Sequence, residues 1–187
     1  ILEKKSLFLA INVQTNSANF GFNYVTKYNI PSFLTMDGTE LMHAVGERSD
    51  DYNTLITKLN NKKEFKKILV TLGKGGLTYF NNGKITTSPS LVQKVTDVVG
   101  AGDAVFSITS LLSHENIEDE LLTFIANCVG GIKVNIMGNK ESVSPEKLIY
   151  FIEQWYQTIE EEEITSYFNT VNNTLNNLNK SNIKTFV

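Results

Sequence analysis

Several residue types that define whole classes of protein are scarce in this sequence. It carries one cysteine, so no disulfide framework can form within the chain, which suits a cytoplasmic protein. Its two histidines, His43 and His114, have no partner at metal-ligand spacing, and we expect both to be structural. No apolar run is long enough to span a bilayer and no signal-peptide pattern is present, so we expect no membrane partner.

A strong excess of charge of either sign is also absent. The net charge is −3 and acidic and basic residues are interspersed, so we expect no nucleic-acid partner. Cys128 falls in an apolar helical pattern, which favours a buried small hydrophobe over a nucleophile. With 41% hydrophobic residues, the 187-residue chain is sufficient for one ordinary domain with a real core.

One short stretch combines glycines, an acid and the start of a helix. Asp97 to Asp103 reads DVVGAGD and runs directly into an apolar stretch of about two to three helical turns. The spacing predicts a tight loop at the N-terminus of a buried helix, where unpaired backbone N–H groups form an anion site. The carboxylate of Asp103 could then take a proton from a substrate hydroxyl while the amides hold a phosphoryl group. This arrangement favours phosphoryl transfer.

Spacing alone leaves a simpler interpretation of this stretch open. Gly-x-Gly before a helix is common, and the helix dipole favours an acid in the first turn whatever the function. The stretch matches neither the dinucleotide-binding fingerprint nor the P-loop pattern. Both interpretations therefore stand at this point.

Apolar runs that alternate with amphipathic stretches predict an α/β layered fold. Buried strands are predicted at Ser6–Val13, Ser32–Met36, Lys67–Leu72 and Val92–Val95. The turn Asn81-Asn82-Gly83 predicts a hairpin that joins Leu77–Phe80 to Lys84–Thr87. Helices are predicted at Asn19–Tyr28, Glu40–Val45, Asp51–Asn61, Ala101–Leu112, Ile117–Val134 and Pro145–Tyr156, the last with Ser144 as its N-cap.

The two ends of the chain stand apart from this pattern. The first strand opens the sequence with no turn or cap before it, so we expect residues 1–157 to be the C-terminal part of a longer domain. Such a strand would be an unpaired edge that invites another chain, and we expect a homodimer. The acidic run Glu160–Glu163 predicts a boundary, so that residues 158–187 form an acidic linker and helical tail that could begin a further domain.

The DVVGAGD stretch closely resembles the signature D-T-x-G-A-G-D of ribokinase-like (PfkB-type) carbohydrate kinases, and the likeness extends from Ser6 to Trp155. Val70 to Gly76 (VTLGKGG) resembles the family's strand and glycine loop beside the nucleotide. Gly138 to Ser142 is similar to the loop that closes the nucleotide pocket. The resemblance implies a three-layer ribokinase-like α/β fold, a mostly parallel central sheet with flanking helices, whose N-terminal part and sugar-binding lid are missing.

The resemblance also implies roles for particular residues. Asp103 would be the general base that activates a sugar hydroxyl, and the anion hole for the transferring phosphoryl group would consist of Gly100, Ala101 and Gly102. The residues along the bound ATP would be Thr71, Gly73, Gly76 and Gly102, with Asn127 near its base. The Thr that usually follows the first Asp of the signature is Val98 here, which removes a hydroxyl without touching the base.

Two metal sites follow from the same resemblance. A potassium-type ion behind the anion hole would be held by the Asp97 side chain and by carbonyl groups of Val99, Lys133, Ile136, Gly138 and Ser142. Family members organise Mg²⁺ through an N-x-x-E motif, usually by way of water, and the matching stretch here is Asp37 to Glu40 (DGTE). Glu40 is retained, whereas Asp37 replaces the usual Asn and adds a charge.

For each of four polar residues near this predicted site, a binding role and a purely structural role both stand. Lys74 could reach a phosphate, although a solvated loop position is the simpler interpretation. Gln14, Asn16 and Asn19 follow the C-terminal end of a strand, the side on which α/β sheets bind ligands, but a turn-forming role fits them equally well.

The activity implied by the resemblance is ATP-dependent phosphoryl transfer to a hydroxyl of a sugar or sugar phosphate. From Phe33 to Glu146 the chain is most like the heptose-phosphate kinase branch, and Val129 to Pro145 (VGGIKVNIMGNKESVSP) supports this. The tail Ile164–Val187 is faintly similar to the leading helix of sugar-phosphate isomerase domains. Two alternatives stand: a non-catalytic nucleotide-binding or assembly module, and a kinase of vitamins such as pyridoxal or hydroxymethylpyrimidine with the same fold and base.

Overall fold

A five-stranded sheet forms the centre of the computed structural model, which describes residues 7–15, 25–27, 29–92, 95–137, 141–156 and 173. The strands, in their order across the sheet, are β1 (Ala10–Asn12), β2 (Phe33–Asp37), β3 (Lys67–Thr71), β4 (Leu77–Asn81) and β5 (Lys84–Ser88). β1, β2 and β3 pair in parallel, and β4 is antiparallel to both of its neighbours. Four of the five strands therefore run in the same direction.

Helices cover both faces of this sheet and complete three layers. The first two are α1 (Gly38–Val45) and α2 (Tyr52–Lys62), and the later three are α3 (Ala101–His114), α4 (Asp119–Lys133) and α5 (Pro145–Tyr156). Short 3-10 turns lie at Val25–Lys27 and Gly73–Gly75. The predicted α/β class and layered architecture are confirmed.

Side-chain alternation along the central strands divides the core into two clusters. Phe33 and Leu69 pack with α3, α4 and α5, whereas Leu34 and Val70 pack with α1 and α2. Neighbouring residues of a strand point to opposite faces, so a strand that is apolar at every position serves both clusters. This explains why β3 reads as a continuous apolar run.

The hairpin and one helix cap form where the sequence predicts them. Asn82 and Gly83 have φ of 47° and 98°, the positive values that a two-residue type I′ turn requires, and Asn81 pairs with Lys84 across it. Ser144 accepts a hydrogen bond from the Lys147 N–H at 3.4 Å and caps α5.

Several boundaries differ from the prediction. β1 spans three residues of the longer apolar run, and within the described residues it pairs only with β2, so it is an edge strand. α1 begins at Gly38 because Asp37 is its N-cap, and α4 begins at Asp119 because Glu118 is still extended.

The predicted strand Val92–Val95, the predicted helix Asn19–Tyr28 and the tail can be compared with the structure only in part. Val92 and Val95 belong to no strand, so that prediction is wrong for the two residues described there. Of the predicted helix Asn19–Tyr28, the described residues Val25–Lys27 form a 3-10 turn. The acidic run and the tail lie outside the described residues, apart from position 173.

Candidate active site

Two adjoining cavities open where the C-terminal ends of β1, β2 and β3 meet the N-terminus of α3. The larger one, which we call the apolar cavity, has a volume of about 490 Å³, and the smaller one, the polar cleft, has about 190 Å³. The residues that line both are Asp37, Thr71, Gly102 and Val105. This edge of the sheet is where α/β folds bind ligands.

The glycine loop begins α3 with a left-handed residue. Gly100 is the N-cap with φ of 74°, a value that a residue with a side chain adopts only under strain. Within the described part of the chain, the N–H groups of Gly102 and Asp103 have no hydrogen-bond partner. A Cβ added at Gly102 would meet no atom within 4 Å, so the backbone there is open to a ligand. These unpaired amides lie where the sequence predicts an anion site, and that role stays a prediction.

The start of this loop is fixed from two sides. The Asp97 carboxylate accepts a hydrogen bond from the Val99 N–H at 3.0 Å. The N–H groups of Thr96 and Asp97 both donate to the Val134 carbonyl at 2.9 Å, where α4 ends. The anion site is therefore held by the end of another helix as well as by its own turn.

Asp103 lies in the first turn of α3 and is oriented by two side-chain amides. Its Oδ1 accepts hydrogen bonds from Asn12 Nδ2 at 3.1 Å and from Gln14 Nε2 at 2.9 Å. No described residue donates to its other oxygen, Oδ2. Asp103 itself is exposed and lines the polar cleft. The carboxylate is thus held at one oxygen and open at the other.

Asn12 is a site residue that the sequence reasoning missed, while Gln14 was left open between ligand and turn. The available signal was a polar side chain inside the apolar strand SLFLAINV, next to the strand's C-terminal end. The structure brings both amides onto Asp103. Asn16 and Asn19 lie outside the described residues.

The loop after β3 presents backbone to the apolar cavity. Gly73 and Gly76 have φ of 54° and 86°, and a Cβ on Gly76 would lie 2.1 Å from the Ser88 carbonyl oxygen. Glycine is therefore required at position 76 for both conformation and space. Thr71, Gly73 and Gly76 line this cavity, and so does the exposed Lys74.

Asn127 lines the far side of the same cavity from the middle of α4. Its Nδ2 donates to Ser88 Oγ at 2.7 Å and to the Pro89 carbonyl at 3.1 Å. The side chain is buried, and these bonds hold the chain after β5 against α4. Asn127 therefore shapes the cavity wall as well as lining it.

Asp37 and Glu40 form a capping box at the start of α1. The Glu40 N–H donates to Asp37 Oδ1 and the Asp37 N–H donates to Glu40 Oε2, both at 2.8 Å. Burial raises the pKa of Glu40 above its ordinary value, although backbone donors oppose the shift. Both carboxylates line the polar cleft. Among the described residues, no group of three or more His, Cys, Asp or Glu side chains could hold a metal ion.

The residues predicted to hold a potassium-type ion are partly engaged with other groups. The Lys133 carbonyl accepts a hydrogen bond from the Ile136 N–H at 3.0 Å. The buried Lys133 side chain donates to the Glu141 carbonyl at 3.2 Å, and Lys147 Nζ lies 3.5 Å from the Ser142 carbonyl. Lysine ammonium groups thus lie beside one predicted ligand, the Ser142 carbonyl, and beside its neighbour Glu141, and the potassium-type site stays a prediction. Gly138 lies outside the described residues.

Neither Cys128 nor His114 lines the apolar cavity or the polar cleft. Cys128 is fully buried, and burial raises the pKa of its thiol, as expected for a structural residue. The His114 ring packs edge-on against Phe8 and pairs with Glu115. In the portion of the chain that is described, no helix is long and apolar enough to cross a membrane.

Comparison with known proteins agrees with this geometry. The sequence pattern of the pfkB family of carbohydrate kinases matches residues 12–145. The bifunctional protein HldE of Helicobacter pylori (strain ATCC 700392 / 26695) is 32% identical over 117 residues, which cover 61% of this chain and 25% of that protein. The match thus spans a quarter of the length of this curated relative.

Two solved structures share the fold. Ribokinase of Arabidopsis thaliana, complexed with ribose and ATP, has a TM-score of 0.57 and 19% identity over 65% of this chain and 40% of its own. Phosphofructokinase-2 of Escherichia coli, in complex with potassium, has a TM-score of 0.63 and 16% identity over 78% of this chain and 47% of its own. With the family pattern matched over most of its length, the chain belongs to the pfkB family of carbohydrate kinases.

Proposed function

We propose that this chain transfers the γ-phosphoryl group of ATP to a hydroxyl group of a sugar phosphate. The observation that carries the proposal is the position of Asp103. Asp103 lines the polar cleft from the same helical turn whose backbone N–H groups are unpaired. A base and an anion site less than one helical turn apart satisfy the two needs of in-line phosphoryl transfer.

The chemistry follows from the two oxygens of Asp103. Oδ1 is occupied by the amides of Asn12 and Gln14, so Oδ2 is the atom that accepts the proton of the attacking hydroxyl. The hydroxyl oxygen forms a bond to the γ-phosphorus as the bond to the leaving ADP oxygen breaks. Negative charge on the transferring group is received by the N–H groups of Gly102 and Asp103.

ATP fits the apolar cavity, whose volume is in the range of nucleotide-sized ligand sites. Gly73 and Gly76 allow the phosphates to approach the backbone closely, and Lys74 lines the same wall. Asn127 and Ala126 border the opposite side, where the base would lie. Because Thr71 and Gly102 line both cavities, a nucleotide here would present its terminal phosphate to the polar cleft.

Mg²⁺ fits the boundary between the two cavities. Asp37 lines both of them and Glu40 lines the polar cleft, so two carboxylates face the place where the phosphates would meet the acceptor. Two protein carboxylates, with water and phosphate oxygens, are an ordinary ligand set for this ion. When bound, Mg²⁺ would neutralise charge on the phosphates. No step is assigned to potassium; one of its predicted ligands, the Ser142 carbonyl, lies 3.5 Å from the Lys147 ammonium group.

A heptose phosphate is the acceptor class that the comparisons favour. The support is the resemblance of Phe33 to Glu146 to the heptose-phosphate kinase branch, together with the 32% identity to the bifunctional protein HldE over 117 residues. The polar cleft, at about 190 Å³, is lined by amide and carboxylate side chains that can hydrogen-bond a sugar's hydroxyl groups. The same base would serve a vitamin kinase, so the acceptor must be tested directly.

The test is an acceptor panel with γ-labelled ATP and Mg²⁺: a heptose phosphate, a hexose phosphate, a free pentose and pyridoxal. We expect labelled product with the heptose phosphate in preference to the others. Transfer to pyridoxal alone would replace the sugar kinase assignment with the vitamin kinase. An oligomer in solution that binds no ATP in a titration would favour the assembly module and contradict the proposal.

A further inference from the structure

We propose that Thr35 and Asn12 form a hydrogen-bond relay that aims the catalytic carboxylate of Asp103, which makes both of them positioning residues. This inference rests on the proposed function, in which Asp103 is the base. We call the path from Thr35 through Asn12 to Asp103 the amide relay. It joins a buried strand residue to Asp103 Oδ1, the oxygen that does not take the proton, through two side-chain hydrogen bonds.

The relay is built on the register of two parallel strands. Asn12 of β1 lies directly beside Thr35 of β2. The Thr35 hydroxyl donates to Asn12 Oδ1 at 2.7 Å, and Asn12 Nδ2 donates to Asp103 Oδ1 at 3.1 Å. A shift of the register by one residue would turn Asn12 to the other face of the sheet and break both bonds.

The Asn12 amide bridges Thr35 and Asp103 with its two ends, and the Asp103 carboxylate, which only accepts, takes the NH₂ end. With Oδ1 engaged by the hydroxyl, the NH₂ group is directed to the carboxylate. In the flipped amide, Asn12 Oδ1 would face a carboxylate oxygen, two acceptors with no proton between them. The hydroxyl therefore supplies the donor for Asn12 Oδ1 and anchors the amide in the orientation that directs its NH₂ group at Asp103.

The burial of Thr35 needs this explanation. It is 3% exposed and stands in β2 between Leu34 and Met36, which are fully or almost fully buried. A buried hydroxyl is costly unless it is hydrogen-bonded, and an apolar residue of the same shape would fit such a strand without that cost. The hydrogen bond to Asn12 satisfies the Thr35 hydroxyl and accounts for a threonine at this buried position.

The relay fixes the carboxylate without placing a positive charge beside it. Asn12 and Gln14 are both neutral, and both bond the same oxygen. No described residue donates to Oδ2, and Asp103 lines the polar cleft. An ammonium or guanidinium group in the same place would orient the carboxylate but weaken it as a base. Neutral amides give orientation while keeping basicity.

A pair of substitutions at one position separates positioning from packing. Thr35→Val keeps the shape and removes the hydroxyl, whereas Thr35→Ser keeps the hydroxyl and removes a methyl group. We expect Thr35→Val to lower kcat by about 10- to 100-fold with the KM for ATP unchanged, since a misplacement of ~1 Å can cost ~100-fold. We expect Thr35→Ser to retain most of the wild-type kcat.

The matched control is Thr78→Val in β4. Thr78 is also 3% exposed, and it lines neither the apolar cavity nor the polar cleft. This control should leave kcat unchanged. The opposite order at position 35, with Val active and Ser impaired, would show that Thr35 only packs and would overturn the relay.

A second measurement does not depend on turnover. In ¹⁵N–¹H spectra of the chain, the side-chain amide of Asn12, assigned by its loss in Asn12→Ala, should give a resolved pair of proton signals, one of which reports the hydrogen bond to Asp103 Oδ1. Thr35→Val should shift and broaden that pair, and Thr78→Val should not. An Asn12 signal that is indifferent to Thr35→Val would refute the relay even in a protein that phosphorylates its acceptor. Loss of all phosphoryl transfer, with this spectral response intact, would refute the proposed function instead.

Discussion

The carboxylate of Glu40 accepts a hydrogen bond from the backbone of Thr15, whose N–H donates to Oε1 at 2.8 Å. Thr15 follows β1 and Glu40 lies in the first turn of α1, so one carboxylate joins the segment that carries Gln14 to the helix cap at Asp37. The other oxygen of Glu40 closes the capping box. Glu40 therefore holds the polar cleft together before any metal is considered, and its burial has a measurable consequence.

The first prediction concerns pH and stability. Because burial raises the pKa of Glu40, the folded state holds that proton more tightly than the unfolded state does. The contribution of Glu40 to the free energy of unfolding is thus complete below its ordinary pKa of 4.5 and is lost as the pH rises through the raised value. Glu40→Gln, which preserves size and the capping pattern, should remove this dependence.

Urea unfolding at a series of pH values from acid to neutral measures this contribution of Glu40 to the free energy of unfolding. The free energy of unfolding of wild type minus that of Glu40→Gln should fall as the pH rises above 4.5. A difference that grows with pH would mean that the ionised carboxylate is the stabilised form, contrary to the effect of burial.

The second prediction concerns Mg²⁺. Asp37→Asn removes one negative charge and keeps a good helix cap, since Asn caps as well as Asp. We expect the affinity of the ATP-loaded protein for Mg²⁺ to fall by about tenfold, the scale on which single groups around a metal act. Asp51→Asn is the control, because Asp51 caps α2 through the Thr54 N–H and lines neither cavity. Equal Mg²⁺ affinities for the two variants, measured by calorimetric titration, would remove Asp37 from the metal site.

The third prediction tests the loop after β3. Gly76→Ala would place a Cβ against the Ser88 carbonyl at 2.1 Å, in a backbone with φ of 86°. We expect a loss of at least about 1–3 kcal/mol of stability, the cost of strained backbone alone, together with weaker ATP binding. Gly46→Ala has a similar φ of 79° but no atom within 4 Å, so it should lose stability without affecting ATP. Equal effects of the two variants on ATP affinity would show that the close approach at Gly76 is irrelevant to the nucleotide.

The fourth prediction concerns monovalent cations. The Lys133 ammonium donates to the Glu141 carbonyl, beside the predicted ligand Ser142, and a positive charge there repels a second cation. Exchanging potassium chloride for tetramethylammonium chloride should therefore leave ATP affinity and thermal stability unchanged. Lys133→Met keeps the apolar stem and removes the charge, and potassium should then stabilise the variant. Stabilisation of the wild type by potassium, with no change on Lys133→Met, would restore the metal site that the resemblance implies.

Local signals in the sequence were sufficient for the parts of the fold that are locally determined. Asn82-Gly83 gave the hairpin because few other pairs adopt two successive positive φ values, and Ser144 marked the start of α5 by its position before Pro145. The boundaries of β1 were not predictable in this way. The extent of an edge strand depends on its partner: β1 begins opposite Phe33, the first residue of β2, which lies more than 20 residues further along the chain.

The residues of the candidate site also fall into those that can be identified from the sequence and those that cannot. Asp103 and the glycine loop are contiguous and could be identified from spacing and resemblance. Asn12 and Thr35 could not, because they meet Asp103 only through the register of two strands and the packing of α3 against them. Lys133 was predicted for its carbonyl, and the position of its ammonium group depends on a loop eight residues away.

The most direct test of the account is the turnover number of Asp103→Asn. Asn keeps an oxygen that can accept from Asn12 and Gln14 but cannot take the proton of the acceptor hydroxyl. We predict that kcat falls by about 10²- to 10⁴-fold while the Kd for ATP is unchanged, with Asp51→Asn at the wild-type rate. Near-normal turnover in Asp103→Asn would contradict the account, since the base would then lie elsewhere.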